Sequence, residues 1–255
     1  MTARPGPSAY ARLVLRIIDA RTGEPADAAP ARRGLTRVEA HVPGSDTTDL
    51  RVLLVADLLV RALEIGGTPV WALLPGGGHR RAELRARAAA LGIHPFEDGP
   101  DAGASLARAQ AVHVAAEGGP APDGIRIAVA PVRPDPPDVA DPADPAVLRL
   151  ALLARHHSAG VRLEAAALDE AGATLARWRS AVARWARHPS RPVPDDVRTR
   201  LRDAWEDDLD LPGVLGVLRR VEHDPDLPDG ARFETYAYAD RLLGLDLTRD
   251  LGTSS

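Results

Sequence analysis

The pattern of apolar and polar positions predicts strands and helices that alternate through the first half of the chain. Residues 35–42 alternate apolar with polar side chains, as a half-buried strand does, whereas 68–75 form the continuous apolar run of a parallel strand buried on both faces. Between them, an apolar stripe at helical spacing ends at Gly66 and Gly67. We predict strands over residues 12–19, 35–42, 68–75, 111–116 and 125–132, and helices over residues 48–65 and 79–93. Such alternation is typical of an α/β layer with right-handed crossovers.

The second half of the chain has the pattern of a small helical bundle. Residues 133–146 are rich in proline and aspartate, which predicts an irregular linker. Beyond the linker, helices are predicted over residues 145–157, 164–187, 194–206, 211–223 and 231–243. We therefore divide the chain into an N-terminal strand and loop that pack on the sheet (1–34), a sheet domain (35–132), the linker (133–146) and a helical domain (147–255).

Composition removes several kinds of chemistry. The chain of 255 residues has no cysteine, which excludes disulfides, thiolate zinc sites and cysteine nucleophiles. All 32 basic residues are arginine, so a P-loop lysine and a Schiff-base lysine are excluded as well. The net charge of −4 gives no global reason to bind nucleic acid or an acidic membrane.

The sequence shows no targeting or membrane segment. Arg16 interrupts the best apolar stretch near the N-terminus, and no window is apolar enough for a membrane span. We therefore expect a cytoplasmic protein that does not bind membranes.

The loop before the first predicted helix has two interpretations. The start of a helix attracts anions, because its first N–H groups have no partner within the helix. Thr47, Thr48 and Arg51 could therefore take part in a phosphate-binding site. However, Asp46 or Asp49 can cap the same N–H groups and repel a triphosphate, and the sequence favours this self-capping.

A glycine-rich segment follows the strand at 68–75, at the edge of the sheet where ligands of open α/β folds bind. Its glycines lack dinucleotide-binding spacing, but its N–H groups and arginines make it the best candidate for a generic anion-binding loop. The alternative is a flexible turn with solvated arginines. The candidate anion-binding residues in this segment are Gly76, Gly77, Gly78, His79, Arg80 and Arg81.

The adjacent residues His156 and His157 lie near the end of a predicted helix. From a regular helix they point about 100° apart and cannot ligate one metal together. A contact from His156 to a ligand in the cleft is one interpretation, and a structural or exposed histidine is the other. Trp178 and Trp185 are seven residues apart and are predicted to pack into the core of the bundle. His79 and His113 look isolated, so we expect them to be solvated or hydrogen-bonded.

Several stretches, taken in order, resemble cysteinyl-tRNA synthetase and the cysteine ligase of mycothiol biosynthesis, which are class I synthetase-type enzymes. In the first half these are "GLTRVEAHVPG", "LRVLLVADLLVRALEIGGTPVWA" and "RRAELRARAAALGIHPFE". In the second half they are "DPAVLRLALLARHHSAGVRLEAAALDEAGATLARW", "AWEDDLDLPGVLGVLRR" and "RLLGLDL". The resemblance implies an α/β fold with a Rossmann-like parallel sheet followed by a small α-helical bundle.

The chain departs from this family at each of its signatures. The family's HIGH signature falls on Asp46, Thr47, Thr48 and Asp49, so its histidines are missing. The KMSKS loop falls in the Pro/Asp linker and cannot contain lysine. The family's zinc needs mainly cysteine ligands, of which the first falls near His41, so no zinc is expected.

Two functions from different classes follow from the resemblance. The first is a degenerate paralogue, a pseudoenzyme that acts as a binding or regulatory module for a protein partner or a small anionic ligand. The second is an active ATP-dependent ligase or nucleotidyl-transfer enzyme in which Arg51, Arg80, Arg81 and Arg133 replace the lost residues. ATP is the cofactor of this second function only. A weaker third function is tRNA binding by the basic segment 177–191 of the helical half.

Overall fold

Sixteen elements make up the part of the protein that the computed structural model describes, namely residues 15–29, 35–76, 80–99, 110–136 and 142–252. The strands are β1 (Arg16–Ile18), β2 (Pro25–Asp27), β3 (Thr36–His41), β4 (Val70–Pro75), β5 (Glu97–Gly99), β6 (Gln110–Ala116), β7 (Ile125–Val129), β8 (Val132–Asp135) and β9 (Val161–Glu164). The helices are α1 (Thr47–Ile65), α2 (Arg81–Ala90), α3 (Pro145–Leu153), α4 (Ala165–Trp185), α5 (Asp195–Glu206), α6 (Leu211–His223) and α7 (Asp229–Leu243).

The central sheet has five parallel strands in the order β5-β4-β3-β6-β7. Helix α1 connects β3 to β4, and α2 connects β4 to β5. The chain then continues on the other side of β3, so the strand order reverses between β3 and β6. The predicted α/β class with a Rossmann-like parallel sheet is confirmed, and a reversal of this kind is where ligands of such folds bind.

The two faces of the sheet differ in chemistry. Val38 and Ala40 of β3, with Val112 and Val114 of the neighbouring β6, are fully buried on the face that α1 covers. Side chains alternate between the faces of a strand, so the opposite face of β3 carries Arg37, Glu39 and His41. This second face is therefore polar where the first is apolar.

Helix α1 lies at the centre of the molecule. Fourteen of its 19 residues are buried, which is far more than the single apolar stripe in the sequence predicts. One face packs on the sheet, and the helix also packs against α7 of the helical half. The charged side chains of α1 that are buried must therefore find partners inside the protein.

The helical half forms a bundle around aromatic side chains. Trp178 and Trp185 of α4 are buried, as predicted, and each packs edge-on against Tyr236 of α7. The Tyr236 hydroxyl donates to the Leu218 carbonyl at 2.9 Å, and burial raises the pKa of this phenol. The apolar core of the bundle is continuous with that under the sheet.

Some short elements were not predicted from the sequence. Strand β8 occupies the start of the segment predicted to be an irregular linker, and it pairs in parallel with β9, which was not predicted. The linker prediction is thus wrong at its start, because an edge strand tolerates proline. Strands β2 and β5 were also missed, and α3 ends at Leu153 rather than at 157. The division into domains stays a prediction, and residues 1–14 lie outside the described part.

Within the described residues, every helix is too short or too polar to cross a lipid bilayer.

A buried carboxylate on α1 joins three segments of the chain. Asp57 is fully buried, and its Oδ2 atom accepts from Arg149 of α3 at 3.0 Å and from Arg61 at 2.9 Å. Its Oδ1 atom accepts from the backbone N–H of His94 at 3.2 Å and faces the ring Nδ1 at 2.9 Å. Burial alone would raise the pKa of Asp57, but the His94 hydrogen bond and the two arginine charges outweigh it and lower the pKa to about 2.

We predict that Asp57→Asn destabilises the protein by about 3–5 kcal/mol, because it leaves the buried charge of Arg149 without a counter-charge. Urea denaturation of the variant and the wild type measures this loss. Asp196→Asn is the matched control, since Asp196 forms an exposed ion pair with Arg200 and should change stability by less than about 1 kcal/mol. Equal effects of the two substitutions would show that the Asp57 cluster is not structural.

The same carboxylate gives the stability a defined pH dependence. The folded pKa of Asp57 lies below its ordinary value of 3.8, so the unfolded chain binds the proton more readily. The contribution of Asp57 is therefore complete above about pH 4 and is lost as the pH falls towards 2. In Asp57→Asn, denaturation curves measured between these pH values should lack this component.

Candidate functional site

The N-terminus of α1 is capped by the protein's own carboxylates. Asp46 accepts from the backbone N–H of Asp49 at 2.9 Å, and Asp49 accepts from the backbone N–H of Asp46 at 3.3 Å. These reciprocal bonds form a capping box. Gly44 makes room for it, because a Cβ atom there would lie 2.8 Å from Oδ2 of Asp49. The self-capping interpretation therefore describes the geometry at this helix.

The electrostatics of this end of α1 disfavour a phosphate. Asp49 is buried, and burial together with the charge of Asp46 raises its pKa. Asp46 remains exposed at the helix N-terminus. An incoming triphosphate would meet this carboxylate where unpaired N–H groups would otherwise attract it.

Polar side chains at the start of α1 form hydrogen bonds with neighbouring elements. Thr48 accepts from the backbone N–H of Val132 at 3.1 Å and so joins α1 to β8. Thr47 is half-buried beside it. Ser45, just before the cap, donates to Glu83 of α2 at 3.4 Å, and its carbonyl accepts from Arg87 at 2.7 Å.

Arg51 is 1% exposed, and its guanidinium is committed to backbone carbonyls. Nη1 donates to the carbonyls of Ala130 and Ala159, each at 2.8 Å. Nη2 donates to the carbonyls of His156 at 2.8 Å and Arg155 at 3.3 Å. Burial lowers the pKa of Arg51 to about 10, so it keeps its charge near neutral pH. This position is structural, since none of its donors points to open solvent.

The glycine-rich segment is only partly described, because Gly77, Gly78 and His79 lie outside the described residues. Gly76 ends β4 with a positive φ of 84°, and Arg80 is exposed at the start of α2. Arg81 turns back and donates to the carbonyls of Gly76, Leu74 and Pro75. Its Nη1 also lies 3.2 Å from Asp98. Of Arg80 and Arg81, only Arg80 makes no side-chain hydrogen bond or ion pair with the described residues.

A cleft of about 370 Å³ opens at the carboxyl ends of β3, β4 and β6, where the strand order reverses. Of the described residues that line it, only His41 has a polar side chain. The others are Val42, Pro43, Pro75, Ala116, Gly119, Pro120, Ala121 and Pro122. A wall of prolines and alanines gives a triphosphate few partners.

His41 belongs to a polar cluster on the face of the sheet opposite α1. Its Nε2 atom lies 3.0 Å from Nδ1 of His113, which in turn lies 3.4 Å from Oε2 of Glu39. The hydrogen bond with His113 lowers the pKa of Glu39 by more than burial raises it. Burial, followed by the charge of His113, lowers the pKa of His41. His113 is therefore hydrogen-bonded, as one of the two sequence interpretations had it, but it is not isolated.

The second histidine pair follows the end of α3 instead of lying within it. The rings of His156 and His157 are 4.2 Å apart, and both Nε2 atoms contact the backbone carbonyl of Asp208, at 2.9 and 3.1 Å. The prediction that they diverge assumed a helix to residue 157 and is wrong. Two clusters among the described residues have metal-ligand geometry, namely His156–His157–Asp208 and Glu39–His41–His113.

Glu39 and His113 were missed as site residues. Two signals for them exist in the sequence, since Glu39 and His41 alternate onto one face of a strand, and His113 is a polar residue within the apolar run "AVHVAA". Their convergence depends on β3 and β6 being neighbours, and strand order is not readable from either segment.

Two sites that the resemblance implies, one for a thiolate-bound zinc ion and one for ATP, do not match these residues. A thiolate zinc site is excluded by the lack of cysteine. A nucleoside triphosphate finds few polar partners at the capped start of α1 or among the described residues that line the apolar cleft.

No protein-family model matches the chain. Parts of it are similar to curated proteins named L-cysteine:1D-myo-inositol 2-amino-2-deoxy-alpha-D-glucopyranoside ligase. The one from Thermobispora bispora is 46% identical over 71 residues, which are 28% of this chain and 17% of that protein. The one from Streptomyces avermitilis is 38% identical over 106 residues, 40% of this chain and 25% of that protein. The one from Acidothermus cellulolyticus is 39% identical over 101 residues, 39% of this chain and 24% of that protein.

The matched stretches thus span a quarter or less of each of these relatives. The chain is similar to part of a ligase-like family of class I synthetase type, with which its parallel α/β sheet is consistent.

We predict that Arg51→Met destabilises the protein by at least about 3 kcal/mol, because four backbone carbonyls lose their donor while the apolar stem is kept. Arg80→Met is the matched control, and its exposed side chain should change stability by no more than about 0.5 kcal/mol. Urea denaturation measures both. An Arg51→Met variant as stable as the wild type would return Arg51 to the list of ligand-binding candidates.

Proposed function

We propose that the chain is a degenerate relative of the class I cysteine ligases and acts as a binding or regulatory module, without forming an adenylate. The partial similarity to these ligases supports the relationship. Its partner is a protein or a small anionic ligand. We propose the cytoplasm as its location.

One observation carries this proposal: the start of α1, on which the HIGH signature falls, is occupied by the protein's own groups. Asp46 and Asp49 cap it with carboxylates. The nearest buried cation, Arg51, has its donors on backbone carbonyls. Adenylate formation needs stabilisation of phosphate charge, whereas the two carboxylates repel phosphate and the guanidinium of Arg51 already donates elsewhere.

The rival function is an active ATP-dependent ligase or nucleotidyl-transfer enzyme. It is favoured by Arg80 and Arg133, whose side chains are exposed and could approach a phosphate. The commitments of Arg51 and Arg81 to backbone carbonyls count against it. The two functions differ in a single measurable property, which is binding of ATP followed by pyrophosphate exchange.

Binding of tRNA is the weaker alternative. The two tryptophans of the segment 177–191 are buried and so are not placed to stack on bases. Arg179 of the same segment is also buried, and it donates to backbone carbonyls of residues 245 and 246. The surface charge that is left gives little support to a nucleic-acid interface.

We predict no saturable heat when the folded protein is titrated with ATP or with a non-hydrolysable cysteinyl-adenylate analogue. No ATP–pyrophosphate exchange is expected with cysteine or with other amino acids. Circular dichroism of the same sample shows that the protein is folded. Saturable ATP binding together with ATP–pyrophosphate exchange, both lost in Arg80→Ala or Arg133→Ala, would establish the rival function.

A double variant tests whether the charges of Asp46 and Asp49 prevent anions from binding at the start of α1. Asp46→Ser with Asp49→Gln keeps both partners of a capping box but removes both charges. We expect its stability to stay within about 1 kcal/mol of the wild type and its affinity for pyrophosphate to rise, as measured by calorimetry. Pyrophosphate binding that is equally absent from variant and wild type would show that something other than charge closes the site.

A further inference from the structure

Three potential metal ligands converge on the polar face of the sheet. Glu39 of β3 and His113 of β6 are register partners on neighbouring strands. His41 lies two residues beyond Glu39 and therefore projects from the same face of β3. The parallel pairing of two adjacent strands thus brings two imidazoles and one carboxylate to one place.

The spacing of the three atoms matches the coordination shell of a metal ion. Nε2 of His41 and Nδ1 of His113 are 3.0 Å apart, and Oε2 of Glu39 lies 3.4 Å from His113 and 3.8 Å from His41. Tetrahedral Zn²⁺ with bonds of about 2.0–2.1 Å holds its ligand atoms about 3.4 Å apart. The observed distances bracket that value.

The two facing histidine nitrogens can hold only one proton between them at 3.0 Å, so the three atoms share a single hydrogen-bond donor. If Nε2 of His41 donates to His113, the lone pairs of Nδ1 of His113 and Oε2 of Glu39 face each other at 3.4 Å. If Nδ1 of His113 carries the proton instead, that single proton is shared between two acceptors. A cation among the three atoms would accept one lone pair from each of them.

The surroundings hold the three side chains in place. Arg37 forms an ion pair with Oε1 of Glu39, with Nε 3.1 Å from it, while Oε2 faces the histidines. The His113 ring packs against Gly124, where a Cβ atom would lie 2.9 Å from it. His41 extends the cluster to the cleft at the end of the sheet.

We propose that Glu39, His41 and His113 bind a divalent zinc-class ion whose fourth position, open towards the cleft, takes water or a small anion. Two histidines and one carboxylate are a ligand set that zinc uses where it keeps an open position. This site contains no thiolate and is independent of the proposed function. It also replaces the expectation that no zinc is bound, which rested on the lack of cysteine.

The His156–His157–Asp208 cluster is the rival location. There both Nε2 atoms contact a backbone carbonyl, which can only accept, so each nitrogen carries its proton and has no lone pair for a metal. In the Glu39–His41–His113 cluster the nitrogen and oxygen atoms that could bind a metal face one another directly, with no backbone carbonyl between them.

Titration of tag-free, chelator-treated protein tests the proposal. Calorimetry with Zn²⁺ should show binding of one ion per chain, and Co²⁺ should give the intense visible absorption of a tetrahedral site. Glu39→Gln and His41→Ala should each weaken binding by at least about tenfold. Both positions are partly exposed, so circular dichroism and melting curves can show that these variants fold.

His188→Ala is the matched control, because His188 is exposed and distant in sequence from both clusters, and it should bind Zn²⁺ like the wild type. Zn²⁺ should raise the melting temperature of the wild type and the control, but not that of Glu39→Gln. A folded wild type without Zn²⁺ binding would overturn the proposal. Unchanged affinity in Glu39→Gln and His41→Ala, or loss of binding in His156→Ala instead, would also overturn it.

Discussion

A buried guanidinium on the central helix holds the two halves of this protein together. Arg51 of α1 donates to the carbonyl of Ala130 after the last strand of the sheet and to carbonyls of residues 155, 156 and 159 in the turn after α3. Arginine suits this position because its planar fork has five donors and keeps its charge when buried. Further along α1, Asp57 binds Arg149 of α3 in the opposite sense, with the acid on α1 and the base on the helical half. The apolar core can be continuous across the two halves because these charges are paired.

The hydrogen bonds that Asp46, Asp49 and Arg51 make within the protein also limit what the start of α1 can bind. A helix N-terminus attracts anions only while its N–H groups are unpaired and a cation is nearby. Here the N–H group of Asp49 bonds to Asp46, the N–H group of Asp46 bonds to Asp49, and the guanidinium one turn later faces backbone carbonyls. A scaffold that resembles an adenylating enzyme is thus combined with local chemistry that disfavours a triphosphate. This combination is the basis of the proposed binding function.

The polar face of the sheet has a different chemical character. In doubly wound folds helices usually cover both faces, but here β6 and β7 are joined by residues 117–124, which contain no helix. Polar residues on a partly covered face need partners, and Glu39, His41 and His113 lie against one another. A cluster of this composition beside a cleft at the reversal point is the position at which this fold most readily supports ligand chemistry.

By itself the sequence determined the elements that have a strong period. Helices α4 to α7 and strands β3 and β4 lie within a few residues of their predictions, because an apolar stripe or alternation is a local property. It also predicted that the acids at the start of α1 would cap the helix, since capping involves neighbours in sequence. Strands of three or four residues, such as β5 and β9, carry too little pattern to be recognised.

Only the tertiary structure decided the roles of single side chains. Arg51 looks like a phosphate ligand in the sequence, but its partners lie 79 to 108 residues away, so its commitment depends on the packing of α1 against the turn after α3. His113 looked isolated because its neighbour His41 is 72 residues distant and belongs to another strand. Contacts between distant segments arise from strand order and helix packing, which no local pattern encodes.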